Sequence, residues 1–405
     1  MITRLVRYAV AATLARLADE MVSITLVLLI LNRTGSAALA GLAVAGYTVP
    51  AVLTGPLLGA WLGRTQRPKI ALIGNELVLG GVAVGLAAGV GRLPDALVVG
   101  LTVLSGICLP LISGGFSSLV PRLVPTAAMH RANVVDAVTF NGAAMAGPAV
   151  AGTIAGIFGP AVAMDTIATV CLLAALATLL IRIEPETVDE RPDPLLALVR
   201  AGLRHLARTP PLRAATLTTI VGLSGYGLLT VALPEFMPGI GAARDHAGYV
   251  WTAFEVGGTV SALLLSGRLR RFRPERVVFG TIGLFGLALA SWPLAGSLLV
   301  LIGAAALAGL ADGPALPAQF AARQRYSPGP LLAQVSTTAA SLKIGGYAVG
   351  SALGGWLVPL IGPGQVILLV AELQLVAVGL GWLAGLTSRG DPTRTPSGVP
   401  ASTGR

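Results

Sequence analysis

The sequence predicts an all-α membrane protein with twelve transmembrane helices, from its composition, its apolar runs and the placement of its charges. Of its 405 residues, 54% are hydrophobic and 11% are charged, and the mean hydropathy is +0.81. A soluble globular protein carries roughly 25% charged residues, because its surface faces water. The composition therefore excludes a soluble enzyme, a DNA-binding module and a disordered chain.

Apolar runs of helix-spanning length, about 20 residues each, recur along the whole chain. Each run predicts one membrane span, and we number the spans from first to twelfth. They lie near residues 8–31, 38–61, 70–90, 96–120, 133–157, 161–182, 214–234, 247–266, 277–293, 297–319, 333–358 and 364–387. The first run carries charged residues and is too long for the apolar core of a signal peptide, so we expect it to be retained.

The net charge of +10 follows from the topology of the chain. If residue 1 is cytoplasmic, 23 of the 28 Lys and Arg residues lie in cytoplasmic segments. The opposite loops hold Arg33, Arg92 and Arg244, and the spans hold Arg16 and Lys343. This bias places both termini in the cytoplasm. It also accounts for the basic charge without a nucleic-acid partner.

Other classes of functional site lack the residues that they need. Both cysteines, Cys108 and Cys171, fall in apolar spans, so no disulfide framework is expected. The three histidines lie far apart in loops, which gives no metal-binding set. No phosphate-binding string G-x-x-x-x-G-K-S/T occurs. We therefore expect no enzyme activity, no cofactor and no metal.

The chain repeats itself at an offset near 203 residues. Residues 147–160, GPAVAGTIAGIFGP, align with residues 350–363, GSALGGWLVPLIGP, and two loop segments match at similar offsets. Transporters are commonly built from duplicated halves with the binding site between them. We therefore predict two six-helix halves, residues 1–183 and 214–388.

The segment between the halves, residues 184–213, holds the densest charge in the chain. Its acidic, proline-rich start predicts an extended linker. The string LLALVRAGLRHLAR that follows predicts an amphipathic helix. This helix either lies on the cytoplasmic membrane surface or is a solvated connector. The tail, residues 389–405, lacks apolar content and is expected to be disordered.

Three local strings carry a family resemblance. They are LADEMVSITLVLLILNRTGSAALAGLA in the first two spans, VPRLVPTAAMHRAN followed by GPAVAG, and AGLRHLARTPPLR in the linker. With twelve spans and duplicated halves, these strings resemble the drug-exporter-like branch of the major facilitator superfamily, the branch of macrolide and multidrug efflux transporters. The resemblance covers about residues 1–388. It implies the major facilitator fold and alternating access, in which the two halves rock about a central site.

A loop signature of that superfamily, roughly G-x-L-a-D-R-x-G-R-R/K, is present in part between the second and third spans. Gly59, Arg64 and Arg67 are kept, and Gly63 stands where the superfamily has an aspartate that helps to lock the gate. The resemblance implies a gating role for this loop. The excess of positive charge on the cytoplasmic side alone would also account for the arginines.

The fifth and tenth spans contain further residues with implied gating roles. Gly147, Pro148 and Gly152 resemble part of the antiporter signature on the fifth span. Small residues let helices approach closely and proline kinks a helix, so these residues serve either export or plain packing. Pro314 follows Gly313 in the tenth span and predicts a flexible interruption there. The fourth span lacks the arginine that many proton-coupled members carry.

Charged side chains in the middle of apolar spans are costly unless they are paired or hydrated. Asp19, Glu255, Asp312 and Lys343 lie roughly 12–22 Å from a membrane surface, at about 1.5 Å per residue. The resemblance implies that their spans line a central cavity. We expect Asp312 and Asp19 to carry the coupling proton. In a poorly hydrated cavity a carboxyl favours its neutral form, and opening to water lets it release the proton.

Glu255 and Lys343 are expected to contact the substrate. So are Trp251 and Tyr347, each one helical turn from one of these charges, because a carboxylate beside an indole could hold a lipophilic cation.

Structural alternatives exist for several of these residues. Arg16 could pair with Asp19 or Glu20, Glu255 could pair with Lys343, and Trp251 could belong to an aromatic belt. Three other acids, Glu76, Asp165 and Glu372, are expected to be structural or close to a membrane interface. A fourth acid, Asp136, is expected to cap a helix or to form part of a gate.

The sequence thus predicts a secondary transporter of a bacterial cytoplasmic membrane, monomeric, with the lipid bilayer, a small molecule and protons as partners. The resemblance favours proton-driven export of hydrophobic or amphipathic compounds. Uptake or facilitated transport of a polar metabolite is the alternative, since the chain holds only 20 aromatic residues. A non-transporting assembly factor or receptor is the alternative of another class, which the mid-membrane charges disfavour.

Overall fold

The structure, a computed structural model, describes residues 2–65, 67–125, 128–181, 195–269 and 271–386. Within these residues the chain forms α-helices joined by short turns, with a π-helical turn at Leu111–Gly115. The α-helices are α1 (Ile2–Thr34), α2 (Ala37–Arg64), α3 (Pro68–Gly89), α4 (Asp95–Pro110), α5 (Phe116–Leu123), α6 (Met129–Phe158), α7 (Pro160–Leu179), α8 (Leu195–Arg208), α9 (Pro210–Phe236), α10 (Ala247–Leu269), α11 (Pro274–Leu289), α12 (Leu298–Asp312), α13 (Ala315–Tyr326), α14 (Gly329–Ile361) and α15 (Pro363–Leu386).

Each of the twelve predicted spans coincides with one of these helices or, for the fourth and tenth spans, with two consecutive ones. Among the described residues, nine helical segments are long and apolar enough to cross a membrane. The other three predicted spans are α1, the pair α4 and α5, and α10. Of these, α1 has Arg16, Asp19 and Glu20 near its middle, and α4 is cut short at Pro110. The all-α membrane fold class is confirmed.

The helices pack into two halves. We call the end of the bundle at which α1 begins and α15 ends the base, and the opposite end the apex. In the N-terminal half α1 packs on α6 and α7, and in the C-terminal half α9 packs on α14 and α15. The halves meet mainly where α2 packs on α14 and α6 on α10. The predicted boundaries of the halves stay predictions, and residues 182–194 and 387–405 lie outside the described residues.

The internal repeat is visible in the backbone at two equivalent helix ends. Gly159 follows α6 with φ 92° and ψ 154°, and Gly362 follows α14 with φ 84° and ψ 154°. Positive φ favours glycine, and in each case a proline then starts the next helix. The match between residues 147–160 and 350–363 is therefore a structural repeat.

A second repeated feature is a pair of close helix crossings. A Cβ atom on Gly106 would contact the carbonyl oxygen of Tyr47, and a Cβ atom on Gly309 would contact the carbonyl oxygen of Phe254. Consequently α2 crosses α4 as closely as α10 crosses α12. The two crossings occupy equivalent places in the two halves, as the pseudo-symmetry requires.

The fourth and tenth spans are interrupted at equivalent places. In the fourth, α4 ends at Pro110 and the π-helical turn follows before α5 begins. In the tenth, Gly313 and Pro314 separate α12 from α13. Proline lacks the N–H that a continuous helix needs. The structure therefore contains the interruption predicted at Pro314 and an equivalent one after Pro110.

The linker helix α8 packs against the base of the C-terminal half. Leu206 is buried with Leu212 and Val335, and Nε2 of His205 lies 2.9 Å from the carbonyl oxygen of Tyr326. The opposite face is open, with Leu203 46% exposed. One face of α8 therefore packs against protein, so the helix is not a solvated connector. Its opposite face is exposed.

Candidate functional site

Two adjoining cavities lie in the middle of the bundle. The central cavity, of about 250 Å³, is lined by α1, α2, α4, α6, α9, α10 and α14, so both halves contribute to it. The base-side cavity, of about 360 Å³, lies mostly within the C-terminal half. Tyr226 and Glu255 line both cavities. All six residues predicted for proton coupling and substrate contact line one or both of them.

The N-terminal half contributes two neighbouring acids, Asp19 and Glu20, to the central cavity. The hydroxyl of Tyr47 donates a hydrogen bond to Oδ1 of Asp19. Glu20 lies beside Gly147, where an added Cβ atom would come 2.5 Å from the Cβ atom of Glu20. Gly147 therefore lets α6 approach α1 closely at Glu20. Glu20 is a site residue that was not predicted from the sequence, although its place next to Asp19 in the middle of a span was a usable signal.

The C-terminal half contributes Asp312, the last residue of α12. Its Oδ2 accepts a hydrogen bond of 2.8 Å from the hydroxyl of Tyr226 on α9. Because α12 stops there, the carboxylate lies at the helix interruption and lines the base-side cavity. Tyr226 and Tyr47 were not predicted as site residues from the sequence. The usable signal was that a phenol in an apolar span needs a hydrogen-bond partner.

Lys343 lies in the base-side cavity, where its Nζ donates to Oε1 of Gln319 at 3.3 Å. Glu255 has no ion-pair partner among the described residues, so the alternative of a Glu255–Lys343 ion pair is not realised. The two cavities therefore present four acidic side chains and one amine to a ligand. The four acids are Asp19, Glu20, Glu255 and Asp312.

An aromatic cluster forms one wall of these cavities. The ring of Tyr226 lies 6.1 Å from that of Trp251, 5.7 Å from that of Phe254 and 5.2 Å from that of Phe285, measured between centroids. Trp251 thus packs inside the bundle and does not belong to an aromatic belt. Across the central cavity, the hydroxyls of Tyr347 and Thr230 lie 2.8 Å apart.

Arg16 does not pair with the acids of its own helix. Its Nη2 lies 2.8 Å from Oδ1 of Asp136 on α6, and its guanidinium also bonds the hydroxyls of Thr139 and Ser117. The hydroxyl of Tyr8 donates to the same carboxylate at 2.6 Å. All five residues belong to the N-terminal half. Asp136 lies within α6 and does not cap a helix, and Asp19 and Glu20 line the central cavity.

Three peripheral acids lie outside both cavities. Glu76 on α3 is fully buried, and Asp165 on α7 and Glu372 on α15 are exposed. None of the three lines the central or the base-side cavity.

The two halves touch closely at the apex. A Cβ atom on Gly152 of α6 would contact the carbonyl oxygen of Asp245, and one on Gly248 of α10 would contact the carbonyl oxygen of Pro148. Toward the base the same two helices part and line the base-side cavity. The site is therefore closed between α6 and α10 on the apex side, with Pro148 and Gly152 at the closure.

The loop between the second and third spans lies at the base. Gly59 and Arg64 are in the last turns of α2, and the exposed Arg67 precedes α3. The side chain of Arg64 lies outside the described residues. Nζ of Lys69 donates to the carbonyl oxygen of Leu179 at 2.8 Å. A cation at the C-terminal end of a helix is stabilising, so Lys69 in the first turn of α3 links that helix to the end of α7.

Comparison with known proteins agrees with this architecture. The profile of the Major Facilitator Superfamily matches residues 8–236. The chain is 32% identical over 354 residues to the uncharacterized MFS-type transporter y4rN of Sinorhizobium fredii, covering 85% of this chain and 86% of that protein. It is 25% identical over 341 residues to the multidrug efflux pump Tap of Mycolicibacterium fortuitum, covering 81% of this chain and 82% of that protein.

Among solved structures, the nucleoside transporter NupG superposes with a TM-score of 0.77 at 13% sequence identity, covering 95% of this chain and 100% of that chain. At this identity the likeness concerns the fold alone. The profile covers more than half of the chain, and y4rN is similar over most of both lengths. Two pseudo-symmetric six-helix halves with a cavity between them are the structural counterpart of that similarity. The chain therefore belongs to the Major Facilitator Superfamily and is a membrane transporter, not an enzyme.

Proposed function

We propose that this transporter exports hydrophobic or amphipathic small molecules from a bacterial cytoplasm in exchange for protons. The observation that supports this most directly is the content of the two cavities. They combine an aromatic cluster, which suits an apolar ligand, with acidic side chains that have no ion-pair partner among the described residues. The similarity to the efflux pump Tap agrees with this direction of transport.

The substrate is expected to meet the aromatic cluster and Glu255 together. Trp251 and Glu255 are one helical turn apart on α10 and both line the central cavity. An indole face attracts a cation, and a neighbouring carboxylate adds a full negative charge. A lipophilic cation would satisfy both groups, which makes amphipathic cations the preferred substrates.

The proton is expected to bind at Asp312 and Asp19. Each carboxylate accepts a hydrogen bond from one tyrosine, and neither has a cation within ion-pair distance among the described residues. A carboxyl in such surroundings changes its protonation when the water around it changes. Rocking of the halves would expose the two sites to the apex side and the base side in turn, and the proton would move with that alternation.

The base is proposed to face the cytoplasm, since the basic residues concentrate there. The arrangement described here, closed between α6 and α10 at the apex, would then be the one that receives a substrate from the cytoplasm. Replacement of the substrate by a proton would accompany the change to the opposite arrangement.

Transport of a polar metabolite is a second candidate, supported by the polar wall of the base-side cavity. Lys343, Gln319 and Gln374 line it together. Oε1 of Gln374 accepts no hydrogen bond from the described residues. An anionic or hydrogen-bonding solute could use these groups, whereas a lipophilic cation would be repelled by Lys343.

Transport by the purified protein in liposomes distinguishes these proposals. A fluorescent lipophilic cation, a nucleoside and an aromatic carboxylate are each offered with and without an imposed pH gradient. We expect gradient-driven movement of the cation alone. Asp312→Asn should abolish that movement yet preserve exchange between equilibrated sides, and the exposed, peripheral Asp165→Asn is the matched control. Full gradient-driven transport by both Asp312→Asn and Asp19→Asn would exclude the coupling role.

A further inference from the structure

A third cavity lies on the flank of the C-terminal half, away from the central site. It is a groove of about 760 Å³ between the end of α10, the start of α11 and the side of α13. Its walls are largely apolar, and Arg325 lies at its base end. The residues that matter most for its chemistry are Leu269, Phe272, Val277, Pro317, Phe320 and Arg325.

The groove has the depth of one membrane leaflet. It begins at Pro314, about midway along the broken helix Leu298–Tyr326, and extends to Arg325. Eleven residues at about 1.5 Å per residue give a length of about 16 Å. The hydrocarbon core of a bilayer is about 30 Å thick, so one leaflet has about half that depth. The apolar part of the groove therefore matches the length of a single acyl layer.

The groove presents aromatic surface that protein covers only by about half. Phe272 and Phe320 line it and are 49% and 48% exposed. An exposed apolar groove that is bordered by polar or charged residues often marks a binding site. At this depth in the membrane the available apolar ligand is a lipid chain.

The base end of the groove is strongly basic. Arg325 lines it, and the guanidinium of Arg271 lies over the ring of Phe272 at 5.2 Å from its centroid. Three more arginines lie nearby in the chain: Arg268 at the end of α10, Arg273 in the turn and Arg276 at the start of α11. The acid of the first turn of α11, Glu275, is 8% exposed and accepts a hydrogen bond of 2.9 Å from the hydroxyl of Tyr326.

We propose that this groove is a binding site for an anionic phospholipid of the base-side leaflet. The acyl chain lies along Phe272, Val277 and Phe320, and the phosphate headgroup lies between Arg271 and Arg325. Basic pockets between helices on the cytoplasmic side of a membrane are suited to anionic headgroups. The arginines thus favour a negatively charged headgroup. The apolar length of the groove favours a ligand with an acyl chain, which a free phosphate ion lacks.

The site adjoins the transport cavity through one wall. Pro317 lines both the groove and the base-side cavity, and Asp312 lies just before the helix break at which the groove begins. The bound lipid would therefore pack against α13, the segment that must move if the helix break flexes. This inference does not depend on the direction or substrate of transport.

Native mass spectrometry of the full chain in detergent tests the proposal, with phosphatidylglycerol and phosphatidylcholine as the two added lipids. We expect one phosphatidylglycerol to bind saturably and more tightly than phosphatidylcholine. Arg325→Gln combined with Arg271→Gln should weaken phosphatidylglycerol binding about 25-fold, at about five-fold for each arginine. Arg92→Gln, an exposed arginine at the apex, is the matched control and should change nothing.

A second variant tests the apolar wall. Ala321 lines the groove and is exposed, so Ala321→Trp should fill it and lower the binding of both lipids without removing a charge. This variant decides the matter if the double arginine variant does not fold. Equal affinity for the two lipids, unchanged binding in Ala321→Trp, or an equal loss in Arg92→Gln would each overturn the proposal.

Discussion

The hydroxyl of Tyr226 lies 2.8 Å from Oδ2 of Asp312, joining α9 to the helix break between α12 and α13. The same type of contact recurs in the chain. Four of the six tyrosines donate to a carboxylate, in the pairs Tyr8–Asp136, Tyr47–Asp19, Tyr226–Asp312 and Tyr326–Glu275. Phenols thus provide hydrogen bonds to acids in a bundle with few polar groups.

Removing the phenol from the Tyr226–Asp312 pair should slow gradient-driven transport. A hydrogen bond to a charged group contributes about 1.5–3 kcal/mol, so Tyr226→Phe should lower the coupled rate by about tenfold or more. Uptake into liposomes under an imposed pH gradient measures this rate. Tyr326→Phe is the control, because Tyr326 makes the same type of bond to Glu275 and lines neither the central nor the base-side cavity. An unchanged coupled rate in Tyr226→Phe would show that Asp312 does not need its donor.

The Arg16–Asp136 pair is expected to stabilise the N-terminal half. Arg16 is 2% exposed, and breaking a buried, hydrogen-bonded ion pair by removing one partner costs about 3–5 kcal/mol. Arg16→Gln should therefore lower the thermal midpoint of the purified protein, followed by tryptophan fluorescence. The exposed Arg92→Gln should leave it within a degree or two. Equal midpoints for the two variants would show that the pair has no structural role.

The contrast between Arg16 and Asp312 shows what the sequence could predict. The length and polarity of a span decide whether it crosses the membrane and at what depth a charge lies, so the depths of Asp312 and Asp19 followed from counting residues. Spacing also limits which residues share a face of one helix. Hydrogen-bond partners on other helices depend on how each helix rotates about its own axis when it packs.

The rotation of each helix about its axis is fixed by contacts between residues that are far apart in the sequence. The partner of Arg16 is Asp136, 120 residues away, instead of an acid one turn along α1. The close approach of α1 and α6 at Gly147 sets where Glu20 lies, and sequence spacing alone has no access to it. The helix breaks at Pro110 and Pro314 could be predicted, because proline acts locally.

The orientation of the bundle predicts which positions an impermeant reagent reaches. Arg204 on α8 at the base and Arg244 at the apex are both exposed. In intact cells, a cysteine at Arg244→Cys should react with a membrane-impermeant maleimide, and one at Arg204→Cys should react only after the cells are opened. The native Cys108 and Cys171 are buried and give a low background. Labelling of Arg204→Cys from outside would reverse the proposed topology.

The apex closure should depend on the absence of a side chain at Gly152. An added Cβ atom there would contact the carbonyl oxygen of Asp245 and lie 3.4 Å from the Cα atom of Gly248. Gly152→Ala should therefore push α6 and α10 apart and favour the apex-open arrangement. Gly142→Ala, on the same helix with nothing within 4 Å of its added Cβ atom, is the matched control.

Spin labels at Arg92→Cys and Gly296→Cys measure this opening, because the two positions lie in apex loops of opposite halves and are exposed. Both labelling changes are made where Cys108 and Cys171 have been replaced by alanine. The distance distribution between the labels should shift to longer values in Gly152→Ala and stay in place in Gly142→Ala. If the two distributions coincide, the contact between α6 and α10 can accommodate a methyl group without opening. Closure must then depend on the contact between α2 and α14. There, a Cβ atom added to Gly41 would contact the backbone of Ser351 and Gly355.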